Sequence, residues 1–245
     1  MNQVQMVKAV LAAYATDSDR PHSQLIATRL PATPPLGVQP VRWRLVNEDV
    51  VQTMREATGH IGVMNFASPT NPGGGVEYGA KAQEESIAKC TYLLPQLRLF
   101  EATYYAPNRA DDHHGLFSAS LIYSAHVRQV FGESGQRLTD HFVDVVTVAA
   151  PNRSAFPRLT TEQTGPDLQL KISQTLRAFK ANGARVIILG AFGTGVFANP
   201  AAQVAAIFRQ ALTQPEFAGV FDDVIFSIYD QAGRTFAAFQ AILGA

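Results

Sequence analysis

The sequence predicts one α/β layered domain with a largely parallel or mixed sheet, and three observations carry that prediction. Short apolar runs bounded by turn residues, IGVMNFAS (61–68), HFVDVVTVAAPN (141–152) and ARVIILGAF (184–192), read as buried strands. In the second half such runs alternate with helical patterns: strand, helix, strand, loop, helix, strand, helix. The chain has 245 residues, enough for one substantial core, and no stretch reads as an interdomain linker.

The elements follow in order. Residues 4–15 have helical periodicity, and the apolar stretch within 1–20 is too short and broken for a signal peptide. The Pro-rich segment 21–40 holds a short strand around Leu25–Leu30 and then a loop. VRWRLVN (41–47) alternates as a strand does, and Asn47 is placed to cap the helix EDVVQTMREA. After the strand at 61–68 comes a helix over 80–97, with Ile87, Cys90, Tyr92 and Leu94 available for burial. A loop, YYAPNRADDHHG (104–115), leads to a strand around 116–125. Beyond the strand at 141–152, a helix over 166–182 opens on Pro166 and stops at Gly183. The strand at 184–192 is followed by the loop GTGVFANP and a helix opened by Pro200. FDDVIFSIYD (221–230) is a late strand, and AGRTFAAFQAILG a final helix.

Composition excludes several function classes. Lys plus Arg and Asp plus Glu both number 20, for a formal net charge of zero, so no long-range attraction to a duplex phosphate backbone is expected. No apolar run approaches the roughly 18–20 residues that span a bilayer. With one cysteine, Cys90, there is no intramolecular disulfide and no cysteine zinc cluster, which favours a reducing, cytoplasmic setting. Asp111-Asp112-His113-His114 has metal-ligand chemistry, but consecutive loop residues rarely converge on one ion, and a solvated loop is expected. Cys90 and Trp43 read as packing residues, as does the Tyr104-Tyr105 pair. His126 and His141 have no motif around them.

Two glycine-rich stretches, Pro72-Gly73-Gly74-Gly75 and Gly193-Thr194-Gly195, each lie between an apolar strand and a helix. In open α/β sheets ligands bind at the carboxyl ends of strands. Glycine lets backbone N–H groups approach a ligand closely, and a following helix N-terminus adds donors and partial positive charge suited to phosphate. Two such loops can hold one diphosphate from both sides. Neither GxxxxGK[ST] nor GxGxxG is present. Glu84 and Glu85 are adjacent on a helix, so they point about 100° apart. One can position a substrate while the other transfers a proton; a solvated acidic helix start is the alternative.

The run GGG, seven residues, then Gln83-Glu84-Glu85 resembles the signature of poly(ADP-ribose) glycohydrolases, most closely the compact bacterial type. Asn65-Phe66-Ala67, Tyr104-Tyr105, Ile122-Tyr123-Ser124, Ala150-Pro151-Asn152 and GAFGTGVFANP (190–200) are similar to that family in its order, over roughly residues 40 to 235. The resemblance implies a three-layer α/β/α macrodomain-like fold with a central mixed sheet. Residues 1–245 would form one macrodomain-type glycohydrolase domain, with 1–40 an N-terminal extension packed on it. It implies Glu85 as the catalytic acid on the ribose–ribose O-glycosidic bond and Glu84 on the ribose hydroxyls. Asn65 would hold the same distal ribose, and Gln83 would buttress the loop within the substrate-binding set. Gly73, Gly74 and Gly75 would line the first diphosphate loop. Gly193, Thr194, Gly195 and Val196 would form the second, with Phe197 against the ribose or adenine. Thr194 stands where a small residue, often Cys, is usual, and Glu77 adds a carboxylate near the site. No counterpart of the larger animal enzymes' tyrosine clasp is seen.

The implied partners are poly(ADP-ribose) or ADP-ribose and ADP-ribosylated proteins, met by a monomer with no cofactor and no metal. Removal of single ADP-ribose groups from protein or nucleobase, and binding without catalysis, remain the alternative activities. A free glutamic acid titrates near about 4.3, whereas a general acid must keep its proton near neutrality. Burial, the adjacent Glu84 and a bound diphosphate are expected to hold that proton on Glu85.

Overall fold

The structure, a computed structural model, describes residues 1–244. The strands are β1 (His22–Ile26), β2 (Trp43–Val46), β3 (Ile61–Phe66), β4 (Leu121–Arg128), β5 (Phe142–Val148), β6 (Val186–Leu189) and β7 (Asp223–Ser227). They form one sheet in the order β1-β4-β5-β3-β6-β7-β2. β5, β3, β6, β7 and β2 run parallel, and β4 is antiparallel to both β5 and β1. The sheet is therefore mixed, and helices cover both faces.

Side-chain parity explains the two cores. Along a strand successive residues face opposite sides. Met64, Val146, Ile187, Leu189, Val224 and Phe226 pack on one side with α6 (Thr161–Ala181), α7 (Ala201–Leu212) and α8 (Arg234–Leu243). Val63, Val143, Val145, Ile188 and Ile225 pack on the other with α1 (Gln3–Thr16), α2 (Val50–Glu56), α3 (Gln83–Cys90) and α4 (Leu93–Arg98). Each fully buried aliphatic or aromatic side chain contributes roughly 1.5–3 kcal/mol. Asn65 and Thr147 share the parity of Val63 and Val145. They are cross-strand partners, so both face the α3 side, where the adjacent glutamates lie.

Several elements depart from expectation for local reasons. The helix expected over 80–97 breaks at Thr91, which is extended (φ −132°, ψ 167°). Its hydroxyl donates to the Ile87 carbonyl at 2.8 Å and accepts the Leu93 N–H at 3.2 Å, closing α3 and opening α4. The helix expected to open on Pro166 begins five residues earlier, because Gln163 reaches back to accept the Thr160 N–H at 3.0 Å. Asp49 caps α2, accepting the Val51 N–H at 2.8 Å. Asn47 instead exchanges hydrogen bonds with the backbone of Asp230. The first strand runs over 22–26, earlier than expected, and β4 starts at Leu121, later than expected. Within 104–115 the chain is largely helical, with a π turn at Glu101–Tyr105 followed by α5 (Ala106–Ala110). The N-terminal segment supplies both α1 and the edge strand β1.

The residues read as packing are placed so. Cys90, Tyr104 and Tyr105 are buried, and the Trp43 indole donates to the Leu243 carbonyl at 2.8 Å. Burial pushes the Cys90 thiol up to about 12. Asp111 and Asp112 accept the N–H groups of His113 and His114 as local turns. No helix among the described residues is long and apolar enough to cross a membrane.

Candidate active site

The loops after β3, β5 and β6 gather at the carboxyl edge of the sheet, and α3 brings its first turn to the same edge. Ala82, the residue before α3, makes no side-chain cap. Gln83 holds the helix in place instead. Its amide accepts the Phe66 N–H at 2.9 Å and donates to the Met64 carbonyl at 2.7 Å. Both ends of the amide are committed to β3, so Gln83 sets where the two following acids point.

Glu84 is 3% exposed and Glu85 8%. Glu84 accepts the Asn65 side-chain amide at 3.3 Å and the Ser68 N–H at 2.7 Å. Asn65 also donates to the Thr147 hydroxyl at 3.2 Å, while its own Oδ1 is buried with no donor from the described residues. Burial pushes the Glu84 carboxyl up to about 8, against the lowering effect of Ser68 and Asn65. Near neutrality the Glu84 carboxyl therefore retains its proton. The Glu85 Oε1 accepts the Gly75 N–H at 2.9 Å. Burial, and after it the nearby Glu84 charge, holds the Tyr104 and Tyr105 phenols above their usual range.

The triglycine is shaped around these acids. Gly74 has φ +61°, and a Cβ there would stand 2.2 Å from Glu85 Oε1 and 3.1 Å from Glu84 Oε2. A Cβ on Gly73 would meet Leu94 at 2.8 Å, and one on Gly75 would meet Ala80 at 2.8 Å. The N–H groups of Gly74 and Gly75 go to the Asn71 carbonyl and to Glu85. Glu77 lies at the surface and pairs with Arg98 at 2.5 Å.

The second loop is closed by its own backbone. Thr194 N–H bonds Ala191 C=O, Ala198 N–H bonds Gly195 C=O, and Asn199 N–H bonds Gly193 C=O. The buried Asn199 side chain also donates to the carbonyls of Pro151 and Gly193, tying this loop to the one after β5. The N–H groups of Gly195, Val196 and Phe197 stand outside these bonds. The Thr194 hydroxyl donates to the Ala191 carbonyl at 3.0 Å, so its proton is used within the loop. Val196 is 78% exposed, and Phe197 packs partly against the core.

Residues 2–131 match the family model for the microbial-type PARG (poly(ADP-ribose) glycohydrolase), catalytic domain. The chain belongs to this family. No curated protein matches the sequence. Among solved structures, the poly(ADP-ribose) glycohydrolase of Thermomonospora curvata is 28% identical with a TM-score of 0.85, over 98% of each chain. The same enzyme bound to the inhibitor ADP-HPD gives 27% identity and a TM-score of 0.83. The glycohydrolase of Deinococcus radiodurans in complex with ADP-ribose is 33% identical with a TM-score of 0.75, over 84% of this chain and 85% of that one. The mixed sheet flanked by helices is thus the fold of the microbial glycohydrolases, and the enzyme is a poly(ADP-ribose) glycohydrolase.

The structure brings Asn65, Gln83, Glu84, Glu85 and the triglycine to one edge of the sheet, with Asn65 bonded to Glu84, Gly75 to Glu85 and Gln83 to the β3 backbone, and places residues 193–197 on the neighbouring loop after β6. The motifs assign no role to four supporting residues, although Ser68 and Asn199 lie inside the runs IGVMNFAS and GAFGTGVFANP. Ser68 and Thr147 complete the surroundings of Glu84 and Asn65, Asn199 fixes the second loop, and Gln3 of α1 donates to the Ala80 carbonyl at 2.5 Å. Thr147 becomes legible once the β3–β5 register is known.

Proposed function

We propose that Glu85 is the general acid and base of the glycohydrolase, with Glu84 and Asn65 holding the ribose whose bond is cut. The observation that carries this reading is the Glu85 carboxyl itself. It is buried at the carboxyl edge of the sheet, with Oε1 anchored by Gly75 N–H and Oε2 outside the hydrogen bonds of the protein. Asn65 Oδ1, a buried acceptor beside Glu84, suits a ribose hydroxyl donor. The second loop supplies N–H groups at 195–197 for the diphosphate, and the triglycine lines the opposite side. Phe197 packs on the ribose or adenine. Binding of ADP-ribose by the Deinococcus radiodurans relative, and of ADP-HPD by the Thermomonospora curvata one, supports this use of the cleft.

The chemistry follows from that placement. Glu85 gives its proton to the leaving ribose oxygen as the glycosidic C–O bond breaks. The oxocarbenium-like sugar left behind is faced by the negative diphosphate. Water then adds to the anomeric carbon while Glu85 takes its proton, which restores the acid and releases ADP-ribose. Adjacent glutamates do not straddle the sugar as the paired carboxylates of most glycosidases do, so one carboxylate serves both steps. ADP-ribosylated proteins carry the polymer in this reading, and the lone buried Cys90 suits a monomer in the reducing cytoplasm.

The test uses Glu85→Gln with poly(ADP-ribose). The variant binds ADP-ribose with near wild-type affinity and loses essentially all release of ADP-ribose. Substantial remaining turnover removes Glu85 from the mechanism. Release from mono-ADP-ribosylated protein but not from polymer would replace the substrate assignment.

A further inference from the structure

One residue at the site is placed without a structural reason. Tyr78 is 94% exposed, although the turn that carries it, Val76–Tyr78, is firmly built. Val76 is buried against Val7, Ala88 and Leu94. Gln3 of α1 donates to the carbonyls of Val76 and Ala80, at 3.4 and 2.5 Å. Tyr78 N–H and Ala80 N–H both bond the Gly75 carbonyl, at 3.0 and 3.1 Å. Gly75 is also the residue whose N–H holds Glu85. Tyr78 therefore follows by three residues the glycine that holds the Glu85 carboxyl, on a loop fixed at both ends, with its ring in solvent. Two of the other strongly exposed apolar side chains, Val196 and Tyr229, lie on the loops after β6 and β7 at the same edge of the sheet.

We infer that Tyr78 is a leaving-group subsite, where its ring stacks on the adenine of the ADP-ribose unit beyond the cut bond. This rests on the proposed role of Glu85. In the polymer, the oxygen that accepts the Glu85 proton belongs to a ribose that itself bears adenine. A purine thus sits one sugar away from the acid, on the side opposite the bound ADP-ribose. Stacking of a base on an exposed aromatic ring is a principal source of affinity in single-stranded nucleic-acid recognition, and it needs no sequence-specific hydrogen bonds. Glu77 beside Tyr78 is engaged by Arg98. Lys81, three residues on, is exposed with no acidic partner among the described residues, so the loop does not repel an anionic chain.

The experiment compares Tyr78→Ala and Tyr78→Trp with wild type, measuring kcat and KM on poly(ADP-ribose) and the Kd for ADP-ribose. Tyr78→Ala is expected to raise KM for polymer about tenfold with kcat nearly unchanged, in line with the loss of one stacked base. The Kd for ADP-ribose, which lacks the leaving unit, stays at the wild-type value. Tyr78→Trp restores the polymer KM. A wild-type KM for Tyr78→Ala overturns the subsite. So does an equal loss of ADP-ribose affinity, which would mean that the loop itself had been disturbed. Failure of the Glu85 assignment shows separately, as turnover by Glu85→Gln.

Discussion

The two glycine loops look alike in sequence, yet they solve different problems. In the first, each glycine is required by the protein itself. Side chains at 73, 74 and 75 would collide with Leu94, Glu85 and Ala80. Its donors point inward, to Asn71 and to Glu85. In the second, Gly193 is structural: it has φ +69°, and a Cβ would lie 2.4 Å from the Ala150 Cβ. Gly195 is different, because a Cβ there meets nothing within 4 Å and the backbone has no need of positive φ. The first loop presses bare backbone against two buried acids; the second presents bare backbone outward. Both loops are expected from the sequence to line the diphosphate; within the protein, the first also holds Glu85 through the Gly75 N–H.

Among substitutions that leave Glu85 itself in place, the largest effect is expected at Gly74. The Ala substitution places a methyl group on the Glu85 carboxyl and must displace it. Steady-state assays should show kcat lower by about 100-fold or more, the scale of a 1 Å misplacement of reacting groups. Near-normal kcat would mean that Glu85 is not held where the mechanism needs it.

Glu84→Gln comes next, with opposite effects on function and stability. The variant loses most of the rate and some ADP-ribose affinity. Its fold, however, gains at alkaline pH. The folded-state pKa of Glu84, about 8, lies above its ordinary value of 4.5. The stability this group contributes is fully present below about 4.5 and is lost as pH rises through about 8. At roughly 1.4 kcal/mol per unit, the loss is on the order of a few kcal/mol. Denaturant melts between pH 5 and pH 9 should show the wild type weakening, with Glu84→Gln removing most of that slope. Parallel slopes would place the proton elsewhere.

The smallest effects separate the two glycines of the second loop. Gly193→Ala should cost about 2 kcal/mol or more of stability from positive-φ strain and the clash with Ala150. Gly195→Ala should leave the melting temperature unchanged and weaken ADP-ribose about tenfold, about 1.4 kcal/mol. An unchanged Kd in Gly195→Ala would break the contrast between a loop built for the protein and a loop built for its ligand.

What the sequence showed and what it hid follow the same division between local and distant causes. The strand–helix alternation of the second half was legible because the apolar runs are contiguous. The acids and the triglycine were legible because they lie within a dozen residues of each other. Boundaries are lost where two local signals compete: Pro166 suits a helix start, although the Thr160–Gln163 capping box begins that helix five residues earlier. Thr91 ended α3 through side-chain bonds to backbone on both sides, inside a run whose periodicity continues. Thr147 acts on Asn65 from 82 residues away, and Gln3 braces the acid loop from 77 residues away. Contacts of that kind arise from the register of the sheet and the packing of α1, and no local pattern encodes them.

The most direct test of the central claim is a crystal structure of the protein with ADP-ribose. The diphosphate is expected against the N–H groups of residues 195–197. The terminal ribose should lie within hydrogen-bond reach of Asn65 Oδ1 and Glu84, with the Glu85 carboxyl at the anomeric carbon. A nucleotide seated on another face of the sheet, or Glu85 turned away from the sugar, would contradict it.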